Sequence, residues 1–160
     1  MNIVEEKSHC FSEKIERIFG IERAEPMIGI INPSLDPFYN QALEEYLFQN
    51  RTEQDIFLLW RNTPAVIVGC YQNISQEVSL RRLKERGIPV VRRSGGTVYH
   101  DLGNVNYSLM KKRNKILEYD DFLLPVIAAL QKLGIKAEKN RCSDIAIGGK
   151  KIYGSAQKAT

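Results

Sequence analysis

The stretch from Arg92 to Ser108 reads RRSGGTVYHDLGNVNYS and follows an apolar, β-type run at residues 88–91. It consists of two arginines at a predicted strand end, a Ser-Gly-Gly turn and a returning strand from Thr97 to His100. Because glycines leave the backbone N–H groups of a turn uncovered, such a turn can bind anions and carbonyl oxygens. The stretch therefore predicts a cradle for a ligand with a phosphate or a carboxylate. Taken alone, it also fits a β-hairpin with Gly-Gly at its turn and solvated arginines beside it.

The composition is that of a globular domain with one hydrophobic core: 160 residues, 43% apolar and 26% charged. The net charge of +4 is modest and spread along the chain, which gives no support to nucleic-acid binding. Neither a secretory signal nor a run of about 18 apolar residues is visible, so we expect a cytoplasmic protein without a membrane span. Three distant cysteines, Cys10, Cys70 and Cys142, are expected to be free thiols.

Turn and cap residues divide the chain into an N-terminal appendage, residues 1–26, and one domain, residues 27–160. In the appendage we expect one short amphipathic helix. In the domain, strands are predicted at 27–32, 88–92, 97–100 and 104–110, and as two hairpins, 56–69 and 142–153. Helices are predicted after Asp36, at 78–86 and at 119–133, the last with Pro125 near its first turn. The predicted fold class is α/β (α+β), with a mixed, mainly antiparallel sheet flanked by helices.

The first predicted helix starts with Asp36 as its N-cap and Pro37 at its first position. The apolar residues that follow fall at helical spacing and are expected to form one stripe that packs on the sheet, while Glu44, Glu45 and Gln49 face water. The stripe consists of Phe38, Ala42, Leu43, Tyr46 and Leu47.

Three blocks, in this order and spacing, resemble the lipoate–protein ligases. They are the polar exit Gly69–Asn73, the arginine and glycine block at 92–104, and the pattern Asp144-x6-Lys151-Ile152-x-Gly154-Ser155-Ala156-Gln157. The resemblance covers roughly residues 27–158, and the wider family includes biotin–protein ligases and octanoyltransferases. It implies a biotin/lipoyl-ligase-like catalytic domain. It also implies that this sequence stops soon after the active-site lysine hairpin, before further strands that family members have.

The activity implied by the resemblance is ATP-dependent activation of lipoate to lipoyl-AMP, followed by transfer to a lysine of a lipoyl-acceptor domain. The expected acceptors are the lipoyl domain of a 2-oxoacid dehydrogenase E2 and the glycine-cleavage H protein. ATP, Mg²⁺ and either lipoate or octanoate are the expected small molecules. A separate C-terminal subunit is a further partner that the resemblance allows.

The resemblance also assigns roles to residues. Lys151 matches the active-site lysine, which would hold the carboxylate and then the acyl-phosphate carbonyl. Asp144 matches the acidic residue that contacts the adenylate or its Mg²⁺ ion. The other expected lipoate- or adenylate-binding residues are Asn73, Arg92, Arg93, Ser94, Gly95, Gly96, Thr97, Tyr99, His100, Gly154, Ser155 and Ala156.

Plainer interpretations exist for two of these residues. Lys151 also fits a surface lysine of a hairpin, and strand alternation puts it on one face with Tyr153 while Lys150 lies on the other with Ile152. His100 precedes Asp101, but neighbours on a strand point to opposite faces, so the two do not form a catalytic dyad. A strand-end histidine satisfied by backbone carbonyls is the alternative for His100.

The sequence departs from the family pattern at three places. The glycine loop is short, Cys70 replaces a basic residue, and Ser143 replaces an asparagine, so the resemblance implies fewer donors at the carboxylate end. Two alternatives to the ligase activity stay open. One is an octanoyl or lipoyl transferase that uses preformed lipoyl-AMP or a thioester on Cys142. The other is an inactive form that only binds lipoate.

Overall fold

A computed structural model describes residues 27–50, 54–111, 119–140, 144–154, 156 and 158. The predicted appendage at 1–26, the Cys142 thiol, Ser143 and Ser155 lie outside the described residues. Among the described helices, none has the length and apolar character that crossing a membrane requires. The described residues form two compact units. The first unit takes in 27–29, 54–57, 109–111, 119–140 and 144–154, and the second takes in 30–50, 58–108, 156 and 158.

The described residues contain nine strands and four helices. The strands are β1 (Ile28–Ile31), β2 (Ile56–Trp60), β3 (Ala65–Gly69), β4 (Val90–Arg93), β5 (Val98–His100), β6 (Asn106–Met110), β7 (Ala137–Lys139), β8 (Ile145–Ile147) and β9 (Lys150–Tyr153). The helices are α1 (Pro37–Asn50), α2 (Ile74–Glu77), α3 (Leu80–Glu85) and α4 (Asp120–Lys132). The sheets have the orders β1-β2-β6, β4-β3-β5 and β7-β8-β9. The mixed α+β class with antiparallel-rich sheets is therefore confirmed.

Strand β3 is the centre of the second unit and is buried along its whole length. It runs parallel to β4 and antiparallel to β5, so that Val66 faces Val90 on one side and Tyr99 on the other. The predicted hairpin of β2 and β3 is therefore wrong, because both edges of β3 are already paired and β2 lies in another sheet. The hairpin interpretation of the Gly-Gly turn is wrong for the same reason. Residues 94–97 connect the two strands that flank β3.

Helix α1 starts as predicted but buries a different face. The carboxylate of Asp36 accepts hydrogen bonds from the backbone N–H groups of Phe38 at 2.8 Å and Tyr39 at 3.3 Å, which confirms the cap. The predicted apolar stripe is wrong except at Leu47, which is buried, because Phe38 is 55% exposed and Tyr46 is 60% exposed. The buried side chains of α1 are those of Pro37, Asn40, Gln41 and Leu47. Polar residues take the inner face because the core offers partners to one of them, Asn40.

A chain of side-chain amides runs inward from Asn40. Its oxygen accepts from the amide of Asn32 at 2.7 Å, and its nitrogen donates to the oxygen of Asn62 at 2.8 Å. The same nitrogen, which carries two hydrogens, also lies within hydrogen-bonding distance of the backbone carbonyls of Ser34 at 3.0 Å and Arg61 at 2.8 Å. Asn40 and Asn62 are fully buried. The amide chain therefore ties the start of α1 to the connection between β2 and β3.

Replacing Asn40 by alanine is expected to lower the free energy of unfolding by about 2–4 kcal/mol, because several buried acceptors would lose their donor. Urea unfolding measures this loss. The matched control is Asn50→Ala, which removes an exposed hydrogen bond to the Tyr46 carbonyl and should cost less than about 0.5 kcal/mol. Equal losses in the two variants would contradict a structural role for the amide chain.

The first unit is built from α4 and the sheet β7-β8-β9. Its core cluster consists of Leu123, Ile127, Ala137 and Ile145. Strands β8 and β9 form the predicted antiparallel hairpin around Gly148-Gly149. Pro125 lies inside α4, in its second turn, and not near the first turn as predicted. The helix tolerates it there because proline removes one backbone donor while the apolar face of α4 still packs on the sheet.

Candidate active site

The glycine loop, Ser94–Thr97, crosses the end of β3 in the second unit at very close range. An ideal Cβ built on Gly69 would overlap the carbonyl oxygen of Gly95. Gly95 itself has a φ of +98°, and a Cβ there would lie 2.9 Å from the Cβ of Ala156. Gly69, Gly95 and Ala156 therefore form a stack, and its two glycines cannot carry a side chain without moving the backbone.

The glycine loop exposes backbone donors. Among the described residues, the N–H groups of Ser94, Gly95 and Gly96 have no backbone hydrogen-bond partner. The adjoining ladder is regular, since the N–H of Cys70 donates to the carbonyl of Arg93 at 2.8 Å. Uncovered N–H groups beside a well-ordered strand end are suited to a phosphate or a carboxylate. Binding of a ligand by these N–H groups stays a prediction.

The two arginines of β4 have different environments. One terminal nitrogen of Arg92, which carries two hydrogens, lies within hydrogen-bonding distance of three backbone carbonyls, those of Gly69 at 2.9 Å, Cys70 at 3.2 Å and Gln72 at 3.0 Å. Arg92 thus holds the turn that follows β3. The Nε atom of Arg93 is buried and has no hydrogen-bond partner in the described part of the chain. A buried guanidinium nitrogen without a partner is costly, so Arg93 is the better candidate for an anionic ligand.

Asn73 follows the turn after β3, Tyr99 lies two residues after the glycine loop, and both are exposed. The Asn73 side chain caps α2, accepting from the Ser75 N–H at 3.1 Å and from the Ser75 hydroxyl at 2.8 Å. Tyr99 is on β5, opposite Val66. Their predicted ligand contacts stay predictions.

His100 is 5% exposed and belongs to the core of the second unit. Its Nδ1 lies 3.1 Å from the amide nitrogen of Asn62, and its ring meets Trp60 edge to face at 5.9 Å. Since the Asn62 oxygen already accepts from Asn40, its nitrogen donates, and His100 accepts as a neutral ring. The expected backbone carbonyl partner is thus replaced by an amide side chain. Burial, followed by the charge of Arg93, lowers the pKa of His100 to about 4, while Asp101 acts in the opposite direction.

The depressed pKa of His100 predicts an acid-sensitive fold. Between pH 6.5 and 4 the unfolded chain binds a proton that the folded chain excludes, so stability is present above pH 6.5 and is lost as pH falls. We expect a loss of about 2–3 kcal/mol from this residue between pH 7.5 and 4.5. Urea unfolding at both pH values measures it. His100→Gln cannot titrate and should show a smaller pH dependence, and an unchanged dependence would contradict this attribution.

The lysine hairpin, β8 and β9, belongs to the first unit. The ammonium of Lys151 lies 3.0 Å from a carboxylate oxygen of Asp144, whose side chain is 14% exposed. Asp144 is fixed in turn, because its N–H donates to the side-chain oxygen of Asn140 at 2.9 Å. The backbone N–H of Asn140 donates to the carbonyl of Asp144 at 3.0 Å. A Cβ on Gly154 would lie 3.4 Å from the Lys151 ammonium, so the glycine leaves room beside it.

A bulge in the hairpin changes which residues share a face. Lys151 is opposite Ala146 and Lys150 is opposite Ile147, so the two lysines lie on opposite faces as predicted. Tyr153 is opposite Ile145, because the register shifts between Ile145 and Ala146. The predicted pairing of Lys151 with Tyr153 on one face is therefore wrong. Strand alternation fails here because the bulge adds one residue to β9.

Asp144 is the predicted Mg²⁺ ligand. No group of three or more potential metal-ligating side chains occurs among the described residues. A single carboxylate paired with an ammonium is compatible with Mg²⁺ only if waters and ligand phosphates complete the shell. The Mg²⁺ role stays a prediction.

The predicted site residues thus fall into two groups, one in each unit. Asp144, Lys151 and Gly154 belong to the first unit, and the others that the structure describes belong to the second. Sequence reasoning missed Gln72, which accepts hydrogen bonds from the Gly69 N–H at 3.0 Å and the Thr97 hydroxyl at 2.7 Å. It also missed Asn62 and Asn140. The only signal for Gln72 was its place in the polar exit after β3.

Sequence comparisons relate the chain to lipoate–protein ligases. The model of the lipoyl protein ligase A/B catalytic domain family matches residues 36–160. Lipoate-protein ligase LplJ of Bacillus subtilis is 42% identical over 140 residues, which are 84% of this chain and 42% of that protein. Lipoate–protein ligase 1 of Staphylococcus aureus is 41% identical over 130 residues, 78% of this chain and 40% of that protein. The chain spans about two-fifths of the length of these curated relatives.

Solved structures show the same likeness. P. falciparum LipL1 in complex with lipoate matches with a TM-score of 0.74 and 31% identity, over 84% of this chain and 44% of that one. One chain in a structure of a bi-partite lipoate protein ligase and its E2 lipoyl domain from T. acidophilum matches with a TM-score of 0.68 and 27% identity, over 82% of this chain and 56% of that one. Lipoate-protein ligase A bound with ATP gives a TM-score of 0.66 and 26% identity, over 82% and 61%. The chain therefore belongs to the lipoyl protein ligase A/B catalytic domain family.

Proposed function

We propose that this chain supplies the lipoate-activating part of a lipoate–protein ligase that works in the cytoplasm. It would use ATP to convert lipoate to lipoyl-AMP and pass the lipoyl group to a lysine of a lipoyl domain. The observation that carries the proposal is the Lys151 ammonium, held 3.0 Å from the carboxylate of Asp144 on the hairpin where the family resemblance predicts the active-site lysine. The lipoate, ATP and E2 lipoyl domain named for the neighbours support these ligands for this chain.

The chemistry has two steps. In the first, a carboxylate oxygen of lipoate attacks the α-phosphorus of ATP, the bond to the bridging oxygen breaks, and pyrophosphate leaves. In the second, the amine of the acceptor lysine attacks the acyl carbon, AMP leaves, and the amine loses a proton. Negative charge collects on phosphoryl or carbonyl oxygen in both transition states, so a fixed cation and preorganised N–H groups accelerate them.

Each group of residues would then have a defined task. Lys151 would hold the lipoate carboxylate and afterwards the carbonyl of the mixed anhydride, while Asp144 keeps its ammonium in place. The N–H groups of Ser94, Gly95 and Gly96 would bind an anionic group of the ligand, and Arg93 would neutralise it. A Mg²⁺ ion, when bound, would neutralise phosphate charge, and Asp144 is the side chain that would contribute to holding it.

Mass spectrometry of the acceptor tests the proposal directly. The protein is incubated with ATP, lipoate and an E2 lipoyl domain, with the H protein in a parallel arm, and the acceptor is weighed intact. One added lipoyl group per acceptor is expected, and omission of ATP should abolish it. Parallel arms with octanoate and with preformed lipoyl-AMP define the acyl donor. An acyl-thioester on Cys142 that is sensitive to hydroxylamine would instead support the transferase, and an unmodified acceptor in every arm would overturn both activities.

A further inference from the structure

Gln72 joins two segments that meet at the end of β3. Its side-chain oxygen accepts from the N–H of Gly69 at 3.0 Å and from the hydroxyl of Thr97 at 2.7 Å. Its backbone is held as well, because its N–H donates to the Gly69 carbonyl at 3.0 Å and its carbonyl accepts from Arg92 at 3.0 Å. One half-buried side chain therefore connects the turn after β3 to the last residue of the glycine loop.

The glycine loop needs such a connection. Its N–H groups are uncovered, and glycines lose more conformational entropy than other residues when they are fixed. A loop that keeps its donors free for a ligand cannot use those donors to hold its own shape. The Thr97 hydroxyl supplies an anchor at one end of the loop, and Gln72 is the acceptor for that anchor.

We propose that Gln72 is a positioning residue, whose side-chain oxygen fixes Thr97 and thereby holds the glycine loop in the shape that binds the anionic part of the ligand. The effect of Gln72 on catalysis rests on the proposed function. The ordering of the glycine loop by Gln72 does not, because it can be measured without any ligand. Gln72 need not touch the ligand to act in this way.

The variants distinguish the loss of the hydrogen bond between Gln72 and Thr97 from a general loss of stability. Gln72→Met keeps the length of the side chain but removes the acceptor, and Thr97→Val keeps the shape of threonine but removes the hydroxyl. Thr97→Ser restores the hydroxyl and should recover most of what Thr97→Val loses. Gln76→Met makes the same chemical change as Gln72→Met on an exposed side chain of α2 and serves as the matched control.

The first measurement is hydrogen–deuterium exchange of the Cys70 amide in the free protein. This N–H donates to the carbonyl of Arg93 at 2.8 Å, at the point where β4 enters the glycine loop, whereas within the described chain the uncovered amides of the loop have no backbone hydrogen bond to lose. In Gln72→Met and Thr97→Val the Cys70 amide should exchange about tenfold faster than in Gln76→Met, because one hydrogen bond no longer opposes opening. The double variant should exchange no faster than either single variant, since both remove the same bond. Equal exchange in Gln72→Met and Gln76→Met would overturn the proposal.

The second measurement is the initial rate of lipoyl-AMP formation at varied ATP and lipoate. Loss of preorganisation should raise KM for at least one of the two about tenfold in Gln72→Met and change kcat less than about threefold. Faster exchange with an unchanged KM would mean that Gln72 only stabilises the turn, which would also overturn the proposal. If the unmodified protein forms no lipoyl-AMP, the proposed function fails, whereas the exchange result still decides whether Gln72 holds the loop.

Discussion

Replacing Lys151 by alanine is expected to lower the rate of lipoyl transfer by about 10²-fold or more. The ammonium is fixed 3.0 Å from Asp144, and its side chain is still 58% exposed, so the cation is both oriented and accessible to a ligand. Removing a preorganised group that stabilises developing negative charge has a cost of this order. Transfer to the lipoyl domain is followed by intact mass at saturating ATP and lipoate.

Lys150→Ala is the matched control for this prediction. Lys150 carries the same charge on the neighbouring residue of β9, but it faces the opposite side of the sheet, where it lies across from Ile147. Its removal should change the rate less than about threefold, since an exposed charge without a fixed partner contributes little. Comparable losses in the two variants would mean that the net charge of the hairpin, and not the placement of Lys151, supports the reaction.

The elements that follow from local patterns were predicted well from the sequence. Asp36-Pro37 specifies the start of α1, because the carboxylate cap and the fixed φ of proline act within one turn. The strands 56–60 and 65–69 have the predicted bounds, because each is a continuous apolar run between polar turns. The blocks that carry the family resemblance were equally local, and the family match at 36–160 confirms the family that they predicted.

What failed was the pairing between distant parts of the chain. Nothing local to β3 shows that β4 and β5 occupy its two edges, which leaves no edge for β2. The face of α1 was misjudged because the partners that allow Asn40 to be buried come from residues as far away as Asn62. The bulge in β9 likewise depends on its pairing with β8. These features arise from tertiary contacts, which override the hydrophobic pattern of a single element.

The same limit explains why Gln72 escaped notice. Its side-chain oxygen has partners three residues before it and 25 residues after it, so no short motif contains the constellation. Gly69 is similar, because its need for glycine comes from the loop that passes over it and not from its own backbone conformation. Both residues matter because the segment between β4 and β5 crosses the end of β3.

Gly69→Ala is therefore expected to be among the most damaging single substitutions in the second unit. The new methyl group would overlap the carbonyl oxygen of Gly95 and would lie 2.7 Å from the side-chain oxygen of Gln72. The glycine loop must move away, because the Cβ of residue 69 and the carbonyl oxygen of Gly95 are both fixed to the backbone and no side-chain rotation can separate them. We expect a loss of about 1–3 kcal/mol in the free energy of unfolding. We also expect kcat/KM for ATP and lipoate to fall by at least about 10²-fold. Urea unfolding and the kinetics of lipoyl-AMP formation measure the two effects.

Gly96→Ala is the control for the loss of stability, because it adds the same methyl group within the glycine loop. An ideal Cβ on Gly96 meets no atom within 4 Å, and its φ is not in the region that favours glycine. Its free energy of unfolding should therefore change by less than about 0.5 kcal/mol. Because the two variants differ only in whether the methyl group collides with backbone, the difference between them isolates the crossing at Gly69. If Gly69→Ala proved as stable as Gly96→Ala and kept its affinity for ATP and lipoate, the glycine loop would not be held against the end of β3, and the stack of Gly69, Gly95 and Ala156 would have no role in shaping the ligand cradle.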